Sequence, residues 1–214
     1  MPFFQSDMLK ISRVSIAGHS FAKRFEDYLK TPAGKGHIGL EDCDLYFLYE
    51  NGASTQRLWD LTQKQYESLR ADVIVMLIGD NDIYDHTNPS GLAVTLYDRA
   101  LETQKKTGAR AVIMAPIFPR FSCKYGTVEI YNQRATQVNA LLHAKCEALR
   151  EMGEDVVGML NQPFKFIPMD DPNVDHMRRF FHSDGVHLSP DGNKMLRRAI
   201  RATILRYRHG WTSF

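Results

Sequence analysis

The sequence predicts an α/β fold in which helices cover both faces of one five-stranded parallel sheet. Short apolar runs alternate with longer segments of helical periodicity, which is the pattern of repeated strand–helix units. The run at residues 73–78 is continuously apolar, as expected of a strand buried on both faces of a parallel sheet. Turn-forming residues such as Asn51-Gly52 and Gly79 follow the runs, so each strand has a recognisable carboxyl end.

The elements follow one another in regular alternation along the chain. Strands are expected at residues 14–18, 45–49, 73–78, 111–115 and 156–160, the second of them buried. Helices are expected at residues 21–30, 55–70, about 92–106, 128–152 and from residue 190 onward. In the second helix the inward side chains are predicted to be Leu58, Leu61, Tyr66 and Leu69. Residues 161–182 contain several prolines, and no secondary structure is predicted for them.

Composition indicates one globular domain spanning residues 1–214. Hydrophobic residues make up 43% and charged residues 24% of the 214 residues, which argues against a disordered chain and against a membrane protein. Cys43, Cys123 and Cys146 are odd in number and lack a metal-binding spacing, which argues against a disulfide framework or a zinc site. The first residues show no signal-peptide pattern. A cytoplasmic protein is therefore expected.

Ser20 follows the carboxyl end of the first predicted strand and opens the first helix. A hydroxyl at that position is exposed, and its backbone N–H is one of the unpaired donors of a helix start. This placement suits a nucleophile, although Ser20 could also serve only as the N-cap of the helix.

His187 could supply a base for Ser20, and Asp184 could supply the group that orients this base. They lie three residues apart in a turn that contains Gly185, so the carboxylate can reach one imidazole nitrogen while the other faces outward. We expect Asp184 to keep the pKa of His187 near or somewhat above its free value of about 6.5. The alternative is that the turn is structural and His187 is an ordinary surface residue.

Three hydrogen-bond donors could stabilise an oxyanion: the backbone N–H groups of Ser20 and Gly52, and the side-chain amide of Asn81. Each follows a different strand, and the carboxyl ends of parallel strands meet at one edge of the sheet. Asn81 could instead be a turn residue. A divalent metal is a further alternative, held by Asp80, Asn81, Asp82 and Asp85, but the order of these residues does not match a calcium loop.

Four blocks of the sequence resemble those of the SGNH (GDSL) hydrolase superfamily: Gly18-His19-Ser20, Gly52, Gly79-Asp80-Asn81-Asp82 and Asp184-Gly185-Val186-His187. They occur in the family's order and span most of the chain. The resemblance implies a flavodoxin-like three-layer α/β/α fold and a serine hydrolase acting on esters without a cofactor. It implies that Ser20 is the nucleophile, that Gly52 and Asn81 form the oxyanion hole, and that Asp184 and His187 complete a catalytic triad.

One residue departs from the family pattern, because His19 stands where the family usually has aspartate. No triad or oxyanion residue is lost by this change. The variant H19D is therefore expected to keep substantial activity. The family acts on acetylated sugars, phospholipids, thioesters and simple esters, so the fold does not identify the substrate.

The last predicted helix is strongly basic and carries Lys194, Arg197, Arg198, Arg201, Arg206 and Arg208. Its apolar side chains Leu196, Ile200, Ile204 and Tyr207 are expected to face the sheet, while Lys194, Arg197, Arg198, Arg201 and Arg208 stay in water. Such a face could bind nucleic acid or an anionic membrane, or could simply be solvated. The sequence thus supports an esterase and, as an alternative, a binding module with weak esterase activity, similar to domains encoded by some animal retroelements.

Overall fold

Five parallel strands form the sheet at the centre of the fold. A computed structural model describes residues 10–124, 126–154, 156–160 and 174–209. The strands are β1 (Arg13–Gly18), β2 (Asp44–Tyr49), β3 (Val73–Leu77), β4 (Ala111–Met114) and β5 (Val157–Met159). They are ordered β2-β1-β3-β4-β5, and every neighbouring pair is parallel. This is the flavodoxin-like strand order, so the predicted fold class is confirmed.

Helices connect the strands and close the chain. They are α1 (Ser20–Leu29), α2 (Thr55–Leu69), α3 (Pro89–Thr107), α4 (Val128–Glu151), α5 (Val174–Arg178) and α6 (Pro190–His209). The short α5 lies in the region for which no secondary structure is predicted. Residues 161–173 of that region lie outside the described residues. None of the described helices is long and apolar enough to cross a membrane.

Alternate side chains of the central strand β3 face two separate hydrophobic cores. Val73, Val75 and Leu77 pack with apolar residues of α1 and α6, including Phe25 and Ile200. The side chains between them, Ile74 and Met76, face the other side of the sheet and pack with apolar residues of α2, α3 and α4. The continuous apolar run in the sequence therefore reflects burial on both faces, and each fully buried aliphatic side chain contributes about 1.5–3 kcal/mol.

Two details of the burial prediction are wrong. β2 is predicted to be buried, but it lies at the edge of the sheet and its middle residues are only half-buried. Leu61 is predicted to face inward, yet 53% of it is exposed, because Trp59 and Thr62 belong to the inward face of α2 instead. At 100° per residue Leu61 lies about 115° from the middle of that face.

The register of the strands aligns the loops that carry the candidate residues. Gly18 at the end of β1 pairs with Tyr49 on one side and with Leu77 on the other. The turn that leads to Ser20 and the loops after β2 and β3 therefore begin at the same edge of the sheet. The strand order reverses at β1 and β3, and ligands of open α/β sheets bind in the crevice at this point.

Candidate active site

A close approach of two strands determines where Ser20 lies. A Cβ atom on Gly18 would stand 2.4 Å from the carbonyl oxygen of Leu77, so only glycine lets β1 and β3 run together at this height. The chain then turns through His19, which occupies the N-cap position, and Ser20 is the first residue of α1. The alternative that Ser20 is an N-cap is therefore wrong, and its side chain is available for another partner.

The turn that carries Asp184 and His187 is closed by backbone hydrogen bonds. The His182 N–H donates to the carbonyl of His187 at 2.6 Å, and Gly185 takes a positive φ of 69°. One carboxylate oxygen of Asp184 accepts from the backbone N–H groups of Val186 and His187, both at 2.9 Å. The carboxylate is therefore held before it meets the imidazole.

The structure brings Ser20, His187 and Asp184 into one chain of contacts. The second carboxylate oxygen of Asp184 lies 2.8 Å from His187 Nδ1, and His187 Nε2 lies 2.8 Å from Ser20 Oγ. An ionised carboxylate can only accept, so Nδ1 carries the imidazole hydrogen and Nε2 presents a lone pair to the serine hydroxyl. This is the tautomer that a general base for Ser20 requires.

The electrostatic surroundings lower the pKa of both titrating partners. Burial opposes the ionisation of Asp184, but the hydrogen bonds from the backbone N–H groups of His187 and Val186 and from the imidazole outweigh it, and its pKa lies well below the usual range. Burial lowers the pKa of His187 below 6.5. Nearby Arg24 and His19 also lower this pKa, whereas the hydrogen bond and the charge of Asp184 raise it. The expected direction for His187 is therefore wrong, because burial, together with the nearby Arg24 guanidinium, outweighs the stabilisation of the imidazolium by Asp184.

The two further oxyanion candidates lie on the loops that flank Ser20. Gly52 is exposed in the turn after β2 and has a φ of 70°. Asn81 Nδ2 donates to the Ala53 carbonyl at 3.0 Å, and Asn81 Oδ1 accepts from Arg120 at 3.5 Å. These partners fix the orientation of the amide, use one of its two N–H groups and join the loop after β3 to the loop after β2.

The acidic residues around Asn81 bind separate partners. Asp82 accepts from the backbone N–H and the hydroxyl of Thr55, and burial raises the pKa of Asp82. Asp80 is buried and contacts His19 instead. Within the described ranges, no three acidic, histidine or cysteine side chains are grouped in a way that could hold a metal ion.

A cleft of about 830 Å³ opens beside the contact between Ser20 and His187. The cleft is lined by residues of α1 and the turn after it, of the loop after β2, and of α6 and the segment before it: Ser20, Lys23, Arg24, Asp27, Tyr28, Thr31, Ala33, Asn51, His187, Leu188, Pro190 and Asn193. Its volume lies within the range of about 300–1,000 Å³ that is usual for small-molecule sites. From Ser20 to Tyr28 it follows α1 for about 12 Å, at 1.5 Å per residue.

Sequence reasoning missed Arg24, whose guanidinium lies 3.5 Å from the Asp184 carboxylate and which also lines the cleft. Ser20 and Arg24 are four residues apart, so both project from one face of α1. That spacing is the signal in the sequence that could have identified Arg24.

The basic helix α6 is only partly free for a partner. As predicted, Leu196, Ile200 and Ile204 are buried against the sheet. Three of its arginines bind the chain near β2: Arg197 donates to the Gly34 carbonyl (3.0 Å), Arg201 to the Gly39 carbonyl (3.1 Å), and Arg208 pairs with Asp42 (2.9 Å). Arg208 is predicted to stay in water, yet only 14% of its side chain is exposed. Binding of nucleic acid or an anionic membrane by this helix stays a prediction.

Comparisons with solved structures show which fold this is. A GDSL-like lipase from Bacteroides thetaiotaomicron superposes with a TM-score of 0.67 and 18% identity over 90% of this chain and 87% of that one. A lipase/acylhydrolase from Enterococcus faecalis gives 0.63 and 15% over 91% and 96%. An aryl esterase from M. smegmatis gives 0.63 and 14% over 90% and 98%.

The chain has the SGNH hydrolase fold. The resemblance carried by the four sequence blocks is thus confirmed at the level of the fold. No protein-family model matches the sequence, and no curated protein matches it significantly. The identities to these three structures are 14–18%, so the likeness is one of fold. The function of this chain is therefore inferred from its own side chains.

Proposed function

We propose that this protein is a serine hydrolase that cleaves carboxylic esters through an acyl-enzyme on Ser20. The observation that carries the proposal is the chain of contacts from Ser20 through His187 to Asp184, with both links at 2.8 Å. It lies at the carboxyl edge of the sheet, where this fold class binds its ligands. Nucleophile, base and orienting carboxylate are the three parts that acyl transfer requires.

The first half of the reaction uses the tautomer of His187 described above. Ser20 Oγ attacks the ester carbonyl, and His187 Nε2 accepts the hydroxyl proton as the new C–O bond forms. The resulting imidazolium is stabilised by the carboxylate of Asp184. When the tetrahedral intermediate collapses, the C–O bond to the alcohol breaks, and His187 returns the proton to the leaving oxygen.

The second half reverses these roles with water as the nucleophile. His187 accepts a proton from water, the hydroxide oxygen bonds to the acyl carbon, and Ser20 leaves with the proton as the carboxylic acid is released. In both halves the negative oxygen accepts hydrogen bonds from the N–H groups of Ser20 and Gly52 and from the Asn81 amide. Each such donor is worth roughly 3 kcal/mol of barrier.

The cleft supports an ester with an apolar portion. Tyr28, Ala33, Leu188 and Pro190 contribute apolar surface to its lining. Its volume of about 830 Å³ accommodates more than an acetyl group. We therefore propose a small acyl or lipid-like ester as the substrate class.

The test is to compare the wild-type protein with the variant S20A on chromogenic esters of increasing acyl length. Removal of the nucleophile of a known triad hydrolase lowers turnover about a millionfold, so S20A should fall to background. A fluorophosphonate probe should label the wild type and not S20A. S20A should remain folded, since it loses one half-buried hydrogen bond worth about 1 kcal/mol.

Ser68 provides a matched control, because it is an exposed serine on α2 whose hydroxyl donates to the nearby Gln65 carbonyl. The variant S68A should hydrolyse the same esters and react with the probe at wild-type rates. The proposal is wrong if the folded wild-type protein neither reacts with the probe nor hydrolyses any ester of the series.

A further inference from the structure

The residue that precedes the nucleophile forms a buried contact with the residue that precedes Asn81. His19 Nε2 lies 3.2 Å from an oxygen of the Asp80 carboxylate. Only 2% of His19 and 3% of Asp80 are exposed. The backbone carbonyl of His19 also accepts from the Ala22 N–H at 3.1 Å in the first turn of α1. One buried side-chain pair therefore joins the helix start that holds Ser20 to the loop that holds Asn81.

Asp80 is also held by contacts from α4 and from the loop after β4. The Tyr131 hydroxyl of α4 lies 3.4 Å from its second carboxylate oxygen, and an Arg120 N–H donates to the Asp80 backbone carbonyl at 3.1 Å. The Arg120 guanidinium also lies 4.4 Å from the centre of the Tyr131 ring. These contacts hold Asp80 from the α4 side while His19 holds it from the α1 side.

We propose that His19 and Asp80 act as one positioning unit that fixes the distance between the Ser20 hydroxyl and the Asn81 amide. The inference rests on the proposed function, in which Ser20 attacks the carbonyl and Asn81 binds the resulting oxyanion. Each member of the pair is separated from its functional neighbour by one peptide bond. A misplacement of about 1 Å between reacting groups can cost about 100-fold in rate, so the contact controls turnover without either side chain touching substrate.

The contact changes the expected behaviour of H19D. A carboxylate at position 19 would face the buried carboxylate of Asp80, and two like charges in a buried site repel each other strongly. The single change therefore disrupts the pair, although aspartate is the residue expected there from the SGNH resemblance. The exchange of both residues, H19D/D80H, restores one imidazole and one carboxylate with the same combined side-chain length.

The test compares the wild type with H19D, D80H and H19D/D80H on one small ester. The single variants should lower kcat about 100-fold while KM changes less than about threefold, because the groups misplaced by them act on the transition state. The double variant should be at least about tenfold faster than either single one. The variant H143D makes the same chemical change at an exposed histidine of α4 and should match the wild type. The proposal is overturned if H19D is as fast as the wild type or if the double variant is no faster than the singles.

The isosteric variant D80N keeps the test decisive if H19D does not fold. It preserves the volume and one acceptor oxygen but removes the charge, so kcat should fall about tenfold at unchanged KM. A D80N protein with lowered thermal stability and an unchanged kcat would overturn the positioning role.

Thermal unfolding of the same four proteins measures the coupling of the pair without any activity. If unfolding shows coupling between positions 19 and 80 but the wild-type protein is inactive, the proposed function is wrong and the contact stands. If the wild-type protein is active and neither kcat nor unfolding shows coupling, the positioning role of His19 and Asp80 is wrong and the proposed function stands.

Discussion

Replacement of Asp184 by asparagine tests the hydrogen-bond direction on which the chemistry depends. In D184N the side chain has one oxygen and one NH₂ group. If its oxygen stays on the backbone N–H groups of Val186 and His187, the NH₂ group faces His187 Nδ1 in place of the carboxylate oxygen now 2.8 Å away. Nδ1 must then accept, so Nε2 carries the hydrogen and can no longer take the Ser20 proton. If the amide turns over, two backbone donors lose their acceptor.

The expected loss of turnover follows from this wrong tautomer. The corresponding change in a well-studied serine protease lowers kcat about 10⁴-fold with the geometry intact. At about 1.36 kcal/mol for each tenfold change, the barrier rises by about 5.4 kcal/mol. The cost to folding is smaller, about 1–2 kcal/mol, because the Asp184 side chain is 35% exposed and the asparagine still makes part of the hydrogen bonds.

The assay is the steady-state hydrolysis of the best ester of the series, with thermal unfolding measured on the same samples. The variant D191N is the matched control, because Asp191 is an exposed carboxylate in the first turn of α6. D191N should keep wild-type turnover. A folded D184N with kcat within tenfold of the wild type would refute the role of Asp184 in orienting His187.

The pKa of His187 is lowered below 6.5, and His187 must be neutral to act as the base. A plot of kcat/KM against pH should therefore rise with a midpoint below pH 6.5 and be level by about pH 7. A value of kcat/KM that still rises between about pH 7 and 8 would contradict this. The variant G18A places a Cβ atom 2.4 Å from the Leu77 carbonyl oxygen and should cost about 1–3 kcal/mol of stability, with kcat reduced about 100-fold; wild-type kinetics would exclude the close approach. The variant R208A removes the pair with the largely exposed Asp42 and a hydrogen bond to the Ile11 carbonyl, and should lower the temperature of thermal unfolding without changing kcat; an unchanged unfolding temperature would contradict this.

Local patterns in the amino-acid sequence were enough to predict the class of the fold and the loops that carry the candidate site residues. A continuous apolar run such as β3 is typical of a strand buried on both faces of a parallel sheet, and its alternation with helical segments indicated the α/β class. The alternation of strands and helices then placed Ser20, Gly52 and Asn81 at one edge. Asp184 and His187 were recognisable because a three-residue separation within a turn is a local relationship.

Long-range contacts between side chains, and the effect of burial on the pKa of His187, could be read only from the packed chain. His19 and Asp80 are 61 residues apart, and nothing in the local sequence pairs them. The edge position of β2 depends on strand order, and the contacts of Arg197 and Arg201 depend on where the α1–β2 connection passes. The lowered pKa of His187 depends on its burial and on Arg24 from another element. Burial, like-charge proximity and long-range contacts are properties of the packed chain, whereas periodicity and turn chemistry belong to neighbouring residues.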